Sequence, residues 1–338
     1  MPGPETLLAG VIVAGLILYF VLGGADFGGG VWDLLASGAR REHQRRLISR
    51  AIGPVWEANH VWLIFVVVLL FSGFPRAFAA IGVALHVPLT LFLIGVVLRG
   101  SAFAFQGGTL EPSARPEAAR RWGRLFAWAS LVAPVLLGMC VGALASGEIR
   151  VQDDRVLSGF FAPWMRPFPA AVGLLALAEC AFLAAVFLAY EARDPALKSD
   201  FRMRALAAGA AVAVLAVASL WLARAGAPLL HGQLTRGPWG GLIALTGGVM
   251  LASMALLGRG RYGGARVFAA LQVALVLIGW ARAQSPWLVV PDVTLRSAAA
   301  NSATQRAILW TVVAGLPVLG PSLWLLFRIF KSRRALDA

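Results

Sequence analysis

Two acidic side chains stand inside hydrophobic stretches of this chain. Asp26 lies in Gly23-Gly24-Ala25-Asp26-Phe27-Gly28-Gly29-Gly30, and Glu57 in Pro54-Val55-Trp56-Glu57-Ala58-Asn59-His60-Val61-Trp62-Leu63. A carboxylate in hydrocarbon is costly, so such a residue points to a proton or ion path, or to a charge that faces a partner. On a helix of 3.6 residues per turn, Glu57 and His60 share a face, with Trp56 and Asn59 on the adjoining stripe. A carboxylate, an imidazole and an amide along one helix suit a hydrated proton path. They suit equally a polar helix start whose groups are satisfied by neighbouring helices. The glycines around Asp26 permit close backbone approach, which would put its carboxylate against a neighbouring backbone or a water chain. Asp33, near the end of the same stretch, reads as interfacial.

Other polar candidates are isolated. His86 is expected in the middle of the third hydrophobic span and Glu179 in the middle of the fifth, both as candidate buried polar groups. Glu179 is the deepest carboxyl of the chain, and reads equally as a proton site or as a buried polar contact between helices. His60 and His86 differ in expected depth, and His43 and His231 fall in loops, so the histidines make a poor haem ligand set. Cys140 and Cys180 both lie in apolar runs and read as small core residues. There is no metal motif, no phosphate-binding loop and no hydrolase triad order. The glycine run at 28–30 follows a hydrophobic helix rather than a strand, so it is no dinucleotide fingerprint.

The elements that must position these residues are membrane spans. The chain is 59% hydrophobic and 14% charged, against about 25% charged in soluble domains. Runs of about 20 apolar residues predict nine spans at 6–35, 53–74, 77–98, 123–146, 168–190, 205–224, 238–258, 264–284 and 307–329, a single membrane domain over 1–338. The N-terminus, with Glu5 and no basic flank, reads as the start of a retained span. The net charge of +14 is spread over short loops, which fits topology signals and anionic lipid rather than nucleic acid. With the N-terminus outside, 21 of the 30 basic residues fall on the cytoplasmic side. The positive-inside rule therefore favours N-outside and a cytoplasmic C-terminus. Asp26 and Glu57 then both lie toward the cytoplasm, joined by the hairpin Ala36 to Arg50.

Trp56-Glu57-Ala58-Asn59-His60-Val61-Trp62-Leu63, preceded by Ala51-Ile52-Gly53-Pro54, resembles the W-[D/E]-x-N-x-x-W-L signature of subunit II of cytochrome bd-type quinol oxidases. Ala25-Asp26-Phe27-Gly28-Gly29-Gly30 resembles the second half of that family's D-G-F-D-x-G segment; the first acid falls at Gly23 here. Phe74-Pro75, Leu98-Arg99-Gly100-Ser101-Ala102-Phe103, Arg166-Pro167-Phe168 and the approach from Pro291 to Leu309 are similar too, so the resemblance covers nearly the whole chain. It implies an all-α polytopic fold of nine helices, two four-helix bundles plus one peripheral helix. It implies a partner, subunit I, which holds b- and d-type haems (or b in place of d) and the quinol site, while this chain holds none. The compact length is similar to the cyanide-insensitive-type branch.

The function so implied is a part in quinol oxidation and in reduction of dioxygen to water. Glu57 is the expected proton-loading carboxylate, assisted by Asp26, His60 and Asn59, and no residue of this chain is catalytic by itself. Membrane lipids, quinol through the complex, a small accessory subunit and a structural quinone or phospholipid are further expected partners. Two rivals use the same residues: a stand-alone proton-coupled transporter, and a purely structural assembly subunit. The absence of paired broken segments speaks against the first.

Overall fold

The computed structural model describes residues 3–52, 56–108 and 116–330. The side chains of residues 56–58, Glu57 among them, also lie outside the described residues. From the N-terminus the helices are α1 (Pro4–Leu34), α2 (Arg41–Ile52), α3 (Trp56–Gly73), α4 (Pro75–Ala84), α5 (His86–Gly108) and α6 (Pro116–Ser146). A hairpin of β1 (Val151–Gln152) and β2 (Arg155–Val156) leads to α7 (Pro167–Glu191), α8 (Pro195–Gly226), α9 (Pro228–Thr235), α10 (Gly240–Gly258) and α11 (Tyr262–Gln284). A second hairpin, β3 (Trp287–Val289) and β4 (Val293–Thr294), precedes α12 (Leu295–Ala298) and α13 (Ser302–Phe330).

Proline sets many of these boundaries. It occupies the first turn of α1, α4, α7, α8 and α9, where its missing N–H costs nothing. At α8 the preceding Asp194 adds a cap, its carboxylate accepting from the Ala196 N–H at 2.8 Å. Among the described residues seven helices are long and apolar enough to cross a bilayer: α1, α6, α7, α8, α10, α11 and α13. The α3 and α4 helices qualify only together, and they are bent by 117°. The expected span 77–98 is not one helix, because it breaks at Leu85. Pro88 has no N–H for the Ala84 carbonyl, and its ring would crowd that carbonyl.

The two hairpins are the departures from an all-helical chain, and both lie in connections. Asp153 and Asp154 take φ of 48° and 60°, the left-handed pair that a two-residue hairpin turn requires. At this end of the bundle Asp292 accepts from Arg150 Nε at 2.9 Å and from the Val151 N–H at 2.8 Å, tying the two hairpins together. At the opposite end α2 is anchored to α8. Arg40 forks onto Asp200, which also accepts from Gln44 Nε2, while Arg204 donates to Gln44 Oε1.

Two hydrophobic cores share α1. One gathers Leu8, Ile12 and Tyr19 with α3, α5, α6 and the second hairpin; the other gathers Phe182, Phe201, Met250 and Val273 from α7, α8, α10 and α11. Glycines bring α1 into the seam between them. A Cβ on Gly28 would stand 1.9 Å from the Cys180 carbonyl oxygen, and one on Gly30 would stand 2.3 Å from Ser130 Cβ. Trp32 closes the seam, its Nε1–H donating to the Ala181 carbonyl at 2.8 Å. The outward faces of α3, α5, α8 and α13 remain apolar, with Val68, Val97, Val217 and Trp310 among their exposed residues. None of the most apolar stretch of α13 is buried within the chain.

Candidate functional site

Asp26 is buried on α1, just before the glycines that let α7 and α6 close in. From α3, Asn59 is buried against it and donates through Nδ2 to Asp26 Oδ2. The same nitrogen makes a longer contact of 3.4 Å to the Leu22 carbonyl, one turn back on α1. His60, next on α3, sets its ring edge-on to Tyr19, with ring centroids 6.0 Å apart, and 6.1 Å from the Phe27 ring. Adjacent helical residues point about 100° apart, so a helix packed into the angle between them meets both. Asn59 therefore shares the α1-facing surface with His60, although the sequence placed it on a side stripe.

The side chain of Arg99, on α5, completes the cluster and is only 1% exposed. Its guanidinium carbon lies 4.8 Å from the Phe27 ring centroid and 5.0 Å from that of Phe126. Its Nε donates to Ser130 Oγ at 3.1 Å, and that hydroxyl donates to the Phe126 carbonyl at 2.7 Å. One further guanidinium nitrogen, Nη2, is buried with no hydrogen-bond partner among the described residues. Asp26 is close enough that its carboxylate, when ionised, favours the charge on the buried Arg99. The site thus joins two groups able to exchange protons, Asp26 and His60, to an amide that orients the carboxylate and a cation that balances it.

The other expected residues are dispersed. Glu57 belongs to the first turn of α3 by backbone, but its side chain lies outside the described residues. Glu179, on α7, is buried and accepts from Gln272 of α11, not from a residue of the α3 motif. The expectation of a buried His86 needs correcting. Because the helix breaks at Leu85, His86 opens α5 as an exposed residue, with Nδ1 2.9 Å from the Val83 carbonyl oxygen and its ring stacked edge-on to Phe160. Cys140 and Cys180 are both free and buried. Among the described residues no three His, Cys, Asp or Glu converge as a metal site.

The comparisons with known proteins agree on one family. The model for cytochrome bd terminal oxidase subunit II matches residues 4–330. This chain belongs to that family. It is 25% identical, over 96% of its length and 95% of the relative's, to the putative cytochrome bd menaquinol oxidase subunit II of Bacillus subtilis (strain 168). It is 26% identical to the cytochrome bd-I ubiquinol oxidase subunit 2 of Escherichia coli (strain K12), over 64% of this chain and 55% of that one. Among solved structures, the bd oxidase from Geobacillus thermodenitrificans matches in fold with a TM-score of 0.80, at 24% identity, over 97% of this chain and 98% of that one.

Membership makes the chain one subunit of a haem-containing terminal oxidase complex, an oxidoreductase of the respiratory chain, and a multi-pass protein of the bacterial inner membrane. A subunit II has a subunit I beside it. Within this subunit II, sequence reasoning passed over Arg99 and Ser130 as site residues. The signal was present: Arg99 stands between Leu91-Phe92-Leu93-Ile94 and Ala102-Phe103-Ala104-Phe105, apolar on both sides. Ending the third span at Leu98 assigned it to a loop, whereas α5 runs on to Gly108.

Proposed function

We propose that this chain is the haem-free subunit II of a bd-type terminal quinol oxidase, in a complex that oxidises quinol and reduces dioxygen to water. It forms a single membrane domain over 1–338, with the N-terminus outside and the C-terminus in the cytoplasm. Its nine spans are the seven long helices α1, α6, α7, α8, α10, α11 and α13 with two drawn from the bent stretch α3–α4–α5, grouped as two four-helix bundles with α13 at the periphery. The two hydrophobic cores support that grouping. The haems, b-type with d or a further b, belong to subunit I. In support, the four histidines here sit on four different helices, α2, α3, α5 and α9, and those of α3 and α5 are engaged with aromatic rings. Lipid, quinol reaching the complex, a small accessory subunit and a structural quinone or phospholipid are the remaining partners of this reading.

The chain supports subunit I and supplies a proton-uptake path from the cytoplasm. Glu57 loads the proton, and Asp26, Asn59 and His60 pass it inward. The observation that carries this reading is the buried bond from Asn59 to Asp26 beside His60, which links the α3 motif to the α1 motif. Arg99 supplies a counter-charge for the Asp26 carboxylate between transfers. In the purified complex, Glu57→Gln is expected to slow oxygen consumption by roughly a hundredfold or more, the scale on which a proton-transferring group contributes. Haem absorption should be unchanged. Normal turnover would refute the path, and loss of haem would assign Glu57 to assembly instead.

A further inference from the structure

The core between α7 and α11 holds a second polar pair that the proton path does not use. Glu179 and Gln272 are 3% and 2% exposed, and Gln272 Nε2 donates to Glu179 Oε1 at 2.7 Å. The other oxygen of each side chain, Glu179 Oε2 and Gln272 Oε1, is buried with no hydrogen-bond partner among the described residues. Both are acceptors if Glu179 is ionised, and buried acceptors without donors are rare in folded proteins.

We infer that Glu179 holds a proton in the folded complex, forming a neutral acid–amide pair with Gln272. One hydrogen on Oε2 would donate to Gln272 Oε1 and satisfy both orphaned oxygens at once. A carboxylic acid and a primary amide are complementary in this way, each giving one hydrogen and taking one. The alternative is a bare carboxylate in hydrocarbon, which ordinarily neutralises itself instead.

Among the described residues Glu179 has no ion pair, and its one hydrogen bond is to Gln272. The α11 arginines stack on rings, Arg266 over Tyr190 and Arg282 over Trp239. Arg204 of α8 lies over Trp32 and Phe201, and Arg40 beside α2 is paired with Asp200. Arg99 of α5 is committed to Ser130 of α6 and to the Phe27 and Phe126 rings. Next along α7 itself is the Cys180 thiol, which is buried and brings no positive charge. The proton therefore makes the α7–α11 contact electrically silent. This inference is independent of the Glu57 path.

Infrared spectra of the purified oxidase complex test it. The wild-type minus Glu179→Gln difference should contain one carbonyl band of a protonated carboxylic acid, moving to lower frequency in D2O, with no carboxylate bands. Gln272→Leu should move that band to higher frequency, because the acid carbonyl loses its donor. The inference is overturned if the difference contains carboxylate bands, or if Gln272→Leu leaves the acid band in place. It is also overturned if Glu179→Gln fails to assemble, since the amide brings Gln272 the same shape and the same hydrogen.

Discussion

Substituting alanine for Gly28 tests the seam that holds the site together. The new methyl carbon would stand 1.9 Å from the Cys180 oxygen and 2.4 Å from its carbonyl carbon, both backbone atoms. Real Cβ atoms stay beyond 3.0 Å from such neighbours, so α1 and α7 must part by at least about 1.1 Å. The Trp32 bond to Ala181, 2.8 Å long and one turn away, would then open to about 3.9 Å and be lost. Overpacking a core costs about 1–3 kcal/mol, and stranding a buried donor costs about 1–3 kcal/mol more. The assay is thermal unfolding of the detergent-purified complex, with oxygen consumption measured in parallel. Gly10→Ala is the control, because a Cβ there meets nothing within 4 Å. Gly28→Ala should melt well below the wild type and lose turnover, as Asp26 is carried away from Asn59. Gly10→Ala should do neither, and should gain slightly from alanine's better helix propensity. If Gly28→Ala melts with Gly10→Ala, the α1–α7 contact does not set the site.

Two further perturbations probe charge. Asp26→Asn or Arg99→Gln leaves the other charge buried without its counterpart, a cost of about 3–5 kcal/mol for such pairs. The double variant should therefore lose clearly less stability than the two single losses added together, and additive losses in a thermal double-mutant cycle would show that the charges are uncoupled. At the hairpin end, burial pushes the Asp292 carboxyl up, but the hydrogen bonds from Arg150 and the Val151 N–H outweigh it and hold the group below the usual carboxylate range. A depressed folded value means that this tie is at full strength above the ordinary carboxylate pKa of about 3.9, and is lost as pH falls through the folded value. Exchange of the Val151 amide hydrogen should accelerate in that acid window, and Asp292→Asn should remove the pH dependence.

What could be read without coordinates was whatever depends on hydropathy and local motif. Apolar run lengths located the helices of α1, α6, α7, α8, α10, α11 and α13, because a bilayer demands a continuous apolar cylinder. The motif residues tied the chain to its family. The glycines beside Asp26 pointed to a close neighbour, and Gly28 does meet α7. The third span was misread because hydropathy is blind to the missing N–H of Pro88, which breaks the helix at Leu85 and exposes His86. Arg99 was misread for the opposite reason. A single charge lowers local hydropathy and suggests a helix end, yet here it is balanced by Asp26, Ser130 and two aromatic rings from other helices. The sequence by itself determined a membrane-spanning helical subunit with acids in its first two spans. Which groups the buried acids meet came from packing: Asn59 donates to Asp26 near the Arg99 guanidinium, and Gln272 donates to Glu179. Partners 33 to 93 residues apart are brought together by helix packing, and no local pattern in the chain encodes that.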